Sequence, residues 1–162
     1  MNVSLKPISA DYRKEIIDIF NYYVENSFAA YVEHKLPYEF FEKLQEMCRG
    51  YPAVVAEDDG TVLGFGMLRA YNAMPAFSRV AEITIFIKHG ATGKGLGNAV
   101  FDHLETEGKR QGITSILASI SSLNDVSVNF HAKNGFVQCG RFKNIGRKKN
   151  RTFDVIYMQK ML

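Results

Sequence analysis

Polar and apolar residues follow two periods along the chain, one typical of strands and the other typical of helices. Alternating or β-branched runs predict strands at residues 3–7, 53–57, 61–70, 80–87, 113–119, 136–142 and 153–158. Helical spacing of apolar residues predicts helices at 12–25, between Pro37 and Gly50, from Leu96 to Gln111, and just before Asn134-Gly135. This order predicts a mixed α/β sheet with helices on both faces.

The composition is that of a folded globular protein. With 162 residues, of which 46% are hydrophobic and 23% charged, the chain predicts one domain over residues 1–162. A net charge of +3 gives no strong case for a nucleic-acid partner. Cys48 and Cys139 form no metal-type or redox-type pair, which favours a reducing compartment. Because the N-terminus shows no signal peptide or membrane span, we expect a cytoplasmic protein with no membrane partner.

One segment is markedly basic. Residues 143–151 are predicted to form a connector between the last two strands. They either meet an acidic partner or the outer phosphates of a ligand, or they form a solvated hairpin tip.

A glycine-rich loop follows the strand at 80–87 and leads into the helix from Leu96. Its four glycines stand at positions 90, 93, 95 and 97. Glycines this dense let the backbone bend sharply and leave its amides unobstructed. A strand, an amide-lined loop and a helix N-terminus together favour an anion site suited to phosphates, and Lys94 adds positive charge.

Two common phosphate motifs do not fit this loop. In a Walker loop, Gly90 would stand too close to Gly93-Lys94, and no hydroxyl follows the lysine. In a dinucleotide fingerprint, the third glycine would fall at Asn98. The pattern that fits is Q/R-x-x-G-x-G/A over residues 92–97 (TGKGLG), with Thr92 in place of Gln or Arg.

This loop resembles the pyrophosphate loop of the GNAT N-acetyltransferases, which bind acetyl-coenzyme A. Residues 124–136 (NDVSVNFHAKNGF) are similar to a second GNAT signature, N-x-x-S-x-x-L-Y/H-x-x-x-G-F. Residues 51–57 (YPAVVAE), Glu82 and His131 resemble the phosphinothricin (methionine sulfoximine) acetyltransferase branch. The resemblance covers nearly the whole chain and implies the GNAT fold, a mostly antiparallel sheet splayed between the parallel strands 80–87 and 113–119.

The resemblance also implies which residues bind acetyl-CoA as cosubstrate. The arm of the coenzyme would pair with backbone at 85–87 in the splay, and free amides there would polarise the thioester carbonyl. The residues implied are Ile85, Phe86, Ile87, Thr92, Gly93, Lys94, Gly95, Leu96, Gly97, Asn98, Asn124 and Ser127.

Two side chains are the catalytic candidates. An alkyl amine is mostly protonated near pH 7, so Glu82 is the candidate base, acting directly or through water. Its alternatives are an ion pair or solvation at the strand end. His131 is the candidate acid for the thiolate, or bonds instead to the thiol or a backbone carbonyl. No Ser or Cys lies in a nucleophile motif and no cluster has metal-ligand spacing, so we expect direct transfer without a metal.

The acceptor amine is defined least by the sequence. Arg69 or Arg79 is expected to bind a carboxylate of the acceptor. Relatives carry an arginine at the position of Ser78, one residue before Arg79. Phe28, Tyr31 and Glu33 lie in a segment that either shapes the substrate pocket or packs ordinarily.

The resulting hypothesis is acetyl transfer to the primary amine of a small molecule. The first candidate for this acceptor is an amino acid or an analogue such as phosphinothricin or methionine sulfoximine. The alternatives are a protein or peptide N-acetyltransferase and a non-catalytic CoA-binding sensor. By analogy with relatives, a homodimer is expected.

Overall fold

The computed structural model describes residues 2–162, which form one mixed sheet flanked by helices. The strands are β1 (Val3–Pro7), β2 (Ala53–Asp58), β3 (Thr61–Ala70), β4 (Val80–Ile87), β5 (Ser115–Ser121), β6 (Val137–Lys148) and β7 (Arg151–Met161). The helices are α1 (Arg13–Asn26), α2 (Phe40–Met47), α3 (Leu96–Arg110) and α4 (Asp125–Lys133). None of these helices is long and apolar enough to cross a membrane.

The sheet has the order β1-β2-β3-β4-β5-β7-β6. Every neighbouring pair is antiparallel except β4 and β5, which run parallel. These two pair only from Val80↔Ser115 to Glu82↔Leu117, although both strands continue further. The predicted sheet, mostly antiparallel and splayed between two parallel strands, is therefore present, and its splay opens beyond Glu82.

Helices cover both faces of the sheet, as the sequence predicted. On one face, α3 packs Val100, Phe101 and Leu104 onto β2, β3 and β4. On the other face, α1 and α2 pack onto β2 and β3. Gly66 of β3 lies so close to α3 that a Cβ there would collide with Val100 Cγ1, which explains the glycine in this strand.

The predicted basic connector at residues 143–151 is wrong. β6 continues through this segment to Lys148, and only Lys149 and Asn150 form the turn, with φ of +50° and +57°. The segment is polar because β6 is one of the two edge strands, and most of its side chains are exposed. An edge strand is held by its backbone hydrogen bonds, so charged side chains are tolerated there. These charges obscure the alternation of apolar and polar residues by which a strand is predicted.

Candidate active site

The splay between β4 and β5 opens a cleft of about 870 Å³. This volume lies within the range of roughly 300–1,000 Å³ typical of small-molecule sites. Its walls include both strands, the glycine-rich loop, the first turn of α3, and α4. The predicted coenzyme residues that line it are Ile85, Phe86, Ile87, Thr92, Gly93, Gly95, Leu96, Gly97, Asn98, Asn124 and Ser127. The side chain of Lys94 is exposed and lies outside this lining.

The glycine-rich loop turns the chain from β4 into α3. Gly90, Gly93 and Gly95 have φ of +84°, +75° and +82°, a region that glycine adopts without steric cost. Gly95 is the N-cap of α3, and no side chain caps the helix. The first-turn amides are therefore free of side-chain partners, and the helix N-terminus favours an anion.

Gly97 has a different role from the other loop glycines. It lies in the first turn of α3, and a Cβ there would stand 3.1 Å from Cε2 of Phe130 in α4. A missing side chain at this position lets the two helices approach closely beside the cleft.

The edge of β4 that faces the splay exposes backbone groups beyond its last pair with β5. The Lys88 amide donates to the Leu63 carbonyl of β3 at 2.7 Å, and the Tyr23 hydroxyl donates to the Ile87 carbonyl at 2.5 Å. Successive peptide groups of a strand point to opposite edges. The amides of Ile85 and Ile87 therefore face the splay.

Glu82 and Arg69 form an ion pair beside the splay. They stand directly opposite each other in the β3–β4 register, and Arg69 Nη2 lies 2.5 Å from Glu82 Oε2. The Glu82 side chain is only 14% exposed. The pair brings the candidate base and a candidate carboxylate ligand together, and it is the ion pair that the sequence left as the alternative for Glu82. Within residues 2–162, the buried Arg69 Nε has no hydrogen-bond partner.

An apolar wall adjoins this ion pair on the face covered by α1 and α2. We call it the apolar lobe, and its residues are Phe20, Phe40, Leu44, Met47, Met67 and Phe86. The cleft thus combines a charged pair with an apolar surface, the combination that small amphiphilic ligands require.

Tyr31 closes the cleft from the segment after α1. Its ring stacks on Phe153, with centroids 5.7 Å apart, and its hydroxyl lies 3.2 Å from Ser119 Oγ of β5. Burial raises the pKa of Tyr31, and the charge of Glu82 adds a smaller rise. The hydroxyl is therefore protonated at neutral pH and can donate a hydrogen bond.

His131 lines the cleft from α4 and is buried. Its Nδ1 lies 2.8 Å from the Ser127 carbonyl oxygen, so Nδ1 carries the proton that is donated to that carbonyl. Burial lowers the pKa of His131, and the bond to Ser127 opposes this shift in part. The ring is therefore neutral at pH 7, with Nε2 as its acceptor nitrogen. The contact with a backbone carbonyl is one of the alternatives that the sequence left open.

Asn124 lies at the start of α4. Its Oδ1 accepts the Ser127 amide at 3.2 Å and so caps the helix. The NH₂ group of its side chain remains available to a ligand in the cleft.

Comparison with known proteins identifies this arrangement. The Acetyltransferase (GNAT) family matches residues 16–136, which is most of the chain. The protein belongs to the GNAT acetyltransferase family. Its enzyme class is that of the N-acetyltransferases, as the sequence predicted.

Two relatives of this GNAT enzyme resemble it over much of its length. Phosphinothricin N-acetyltransferase from Streptomyces viridochromogenes is 30% identical over 159 residues, covering 98% of this chain and 87% of its own. L-methionine sulfoximine/L-methionine sulfone acetyltransferase from Salmonella typhimurium is 30% identical over 113 residues, covering 70% of this chain and 66% of its own. The predicted resemblance to this branch is confirmed.

Solved structures share the fold of the GNAT enzyme. A phosphinothricin acetyltransferase from Sinorhizobium meliloti in complex with AcCoA has a TM-score of 0.93 at 29% identity, over 100% of this chain and 89% of its own. A ribosomal-protein-alanine N-acetyltransferase from Brucella melitensis has a TM-score of 0.92 at 27% identity, over 98% of this chain and 99% of its own.

Three predicted substrate residues of the GNAT enzyme lie outside the lining of the cleft. Phe28 packs on Phe153 with ring centroids 6.0 Å apart, which is the ordinary packing held open by the sequence. The Glu33 carboxylate accepts the Lys149 amide at 2.7 Å, on the far side of the segment. Arg79 is exposed in the loop before β4. Of the segment after α1, only residues 29–32 face the cleft.

Sequence patterns single out neither Tyr23 nor Ser119, which line the cleft, and they place Lys148 only in the basic connector. Tyr23 lies on α1, and the bond from its hydroxyl to the Ile87 carbonyl of β4 leaves no pattern in the sequence. Across residues 2–162, no group of three His, Cys, Asp or Glu side chains is arranged to hold a metal ion.

Proposed function

We propose that the enzyme transfers the acetyl group of acetyl-CoA directly to the primary amine of a small amino acid or analogue, such as phosphinothricin or methionine sulfoximine. The observation that carries this proposal is the Arg69–Glu82 pair in the cleft, with an unsatisfied, buried Arg69 Nε. The Arg69 side chain is 34% exposed, so its accessible N–H donors can bind a carboxylate on the acceptor. Both named relatives act on compounds of this class.

The glycine-rich loop suits the phosphates of the coenzyme. Left-handed glycines and uncapped helix amides form the cradle, and Lys94 adds charge at its rim. The amides of Ile85 and Ile87 would hold the arm in the splay. We assign coenzyme binding to these groups and to Thr92, Gly93, Gly95, Leu96, Gly97, Asn98, Asn124 and Ser127, with the Phe86 backbone completing the strand segment.

The acceptor would bind at the inner end of the cleft. Arg69 has N–H donors beyond the one that holds Glu82, and these can bind the acceptor carboxylate. The apolar lobe would receive a side chain that is at least partly apolar. The protonated hydroxyl of Tyr31 would complete the wall on the β5 side.

Glu82 is our candidate for the base. Its carboxylate lies on the same face as the apolar lobe, so it can take the proton of the ammonium directly or through water. Acetyl-CoA supplies the activated thioester. His131 donates its Nδ1 proton to Ser127, so we assign its Nε2 to accept a hydrogen bond from the released thiol, in preference to the acid role.

We infer that residues 1–162 form a single catalytic domain. β1 and β7, from opposite ends of the chain, belong to the same sheet, which supports this inference.

A screen of amino acids, amine analogues and peptides with thiol detection tests the proposal. We expect turnover with small amino acids or analogues and little with peptides. A clear preference for peptides would contradict the acceptor class. No thiol release above background with any amine, despite binding of acetyl-CoA, would favour a non-catalytic binding domain.

Glu82→Gln tests the base within the same assay. We expect kcat/KM to fall by about 10²–10⁴-fold, the usual contribution of a general base. The matched control is Glu107→Gln, because Glu107 also pairs with an arginine, Arg110, but lies on α3 outside the cleft lining. If Glu82→Gln releases thiol as fast as wild type with every acceptor, the base is assigned wrongly.

A further inference from the structure

Lys148 of β6 is a lysine whose side chain is completely buried. Its relative exposure is 0%, and its ammonium donates to the carbonyl oxygens of Ser27 at 2.8 Å and Ala30 at 2.7 Å. No carboxylate within residues 2–162 forms an ion pair with it. A buried charge is costly, and here its compensation comes from two main-chain carbonyls.

Both carbonyls belong to the irregular segment that follows α1. Ser27 is the C-cap residue of α1, where a cation is favoured by the helix dipole. Residues 27–33 form no helix or strand, so few backbone hydrogen bonds of their own fix their path. By joining Ser27 and Ala30 to one ammonium group, Lys148 links this segment to β6.

The same segment forms a wall of the cleft. Ala29, Ala30, Tyr31 and Val32 all line it, whereas Lys148 itself does not. Tyr31 directly follows a carbonyl held by Lys148, and its hydroxyl reaches Ser119 on β5, beyond the last residue paired with β4. Lys148 thus binds the carbonyl of the residue just before Tyr31, the side chain that closes the inner end of the cleft.

We propose that Lys148 is a positioning residue that sets the acceptor end of the site through the segment 27–33. Its ammonium fixes the backbone on either side of Ala29, and this places Tyr31 against Ser119 and opposite the Arg69–Glu82 pair. This proposal rests on the proposed function, because it assigns this wall to the acceptor amine. The glycine-rich loop, at the other end of the cleft, does not depend on Lys148.

Lys148→Met is the test, and Lys143→Met is its matched control. Methionine keeps most of the side-chain volume and removes the N–H donors, whereas Lys143 is an exposed lysine on the same strand. Two measurements are made on each full-length protein. Hydrogen–deuterium exchange follows the peptides that cover residues 27–33, and steady-state kinetics gives separate KM values for acceptor and acetyl-CoA.

In Lys148→Met, we expect exchange in residues 27–33 to accelerate by about tenfold or more, as two lost hydrogen bonds imply. The KM of the acceptor should rise by a similar factor, while the KM of acetyl-CoA stays within about twofold of wild type. Lys143→Met should match wild type in all three quantities. A merely structural role would instead lower the unfolding temperature and change both KM values together.

Unchanged exchange and an unchanged acceptor KM in Lys148→Met would overturn the proposal. If this variant does not fold, Lys148→Gln, which keeps a neutral N–H donor, is measured against the same two criteria. If the wild-type enzyme acetylates no amine, the proposed function fails, and the exchange experiment alone decides whether Lys148 holds the segment.

Discussion

Gly95→Asp separates the binding role of the glycine-rich loop from its role in the fold. Gly95 has a φ of +82°, and no atom lies within 4 Å of the position that a Cβ would take. The substitution therefore costs backbone strain without a clash, about 1–2 kcal/mol for a left-handed residue. In a chain of this size, that lowers the unfolding temperature by roughly 2–8 °C.

The effect on coenzyme binding should be larger. A carboxylate about 4 Å from a phosphate charge adds roughly 1–4 kcal/mol of repulsion at effective dielectric constants of about 80 to 20. This corresponds to binding of acetyl-CoA that is about 5- to 1,000-fold weaker, measured by isothermal titration calorimetry. Moderate salt should reduce the difference, because the repulsion occurs close to solvent.

Gly112→Asp is the control for this experiment. Gly112 has a φ of +85° and equally free surroundings, so it carries the same strain and the same new charge. It follows the far end of the 15-residue helix α3, roughly 22 Å from Gly95 at about 1.5 Å per residue. We expect a similar loss of stability and unchanged affinity. Equal affinities in Gly95→Asp and Gly112→Asp would refute the assignment of the loop.

Two further predictions concern the scaffold. Gly66→Ala should reduce the free energy of unfolding by about 1–3 kcal/mol, because the new methyl group collides with Val100; an unchanged urea midpoint would show that α3 moves away freely. The hydrogen bond from Lys6 lowers the pKa of Glu57 against the effect of burial. Glu57 therefore contributes stability above its unfolded pKa, and this contribution disappears as the pH falls through the lowered value. Glu57→Gln should lose stability at pH 7 and progressively less as the pH falls through the lowered pKa of Glu57, and a loss independent of pH would contradict the pairing.

The sequence predicted β4 and α3 with their glycine-rich connection because local signals there agree. Isoleucines favour the strand, glycines mark the turn, and the apolar spacing from Leu96 marks the helix. Glu82 was found by its position on this strand. Its pairing with Arg69 could not be predicted, because the register of β3 and β4 is set across a loop that contains the turn Pro75–Phe77. A one-residue slip would have placed Arg69 on the opposite face.

Lys148 shows where sequence patterns fail for a physical reason. Lysine is exposed in most proteins, so a basic run indicates a solvated connector. Here the run lies on an edge strand, and its buried member contacts carbonyls that are 118 and 121 residues away in the chain. Main-chain acceptors leave no signal in the sequence, because every residue offers the same backbone carbonyl whatever its side chain. Contacts of this kind can be found only from coordinates.

The short pairing of β4 with β5 leaves a junction in the sheet that a bound coenzyme can stabilise. The sheet has its weakest lateral junction there, since β5 is paired with β7 along its whole length but with β4 only up to Leu117. A thioester seated across this junction would bridge the two halves and add about 2.7 kcal/mol at a hundredfold excess over Kd. We therefore expect the unfolding temperature of the protein to rise with the concentration of acetyl-CoA.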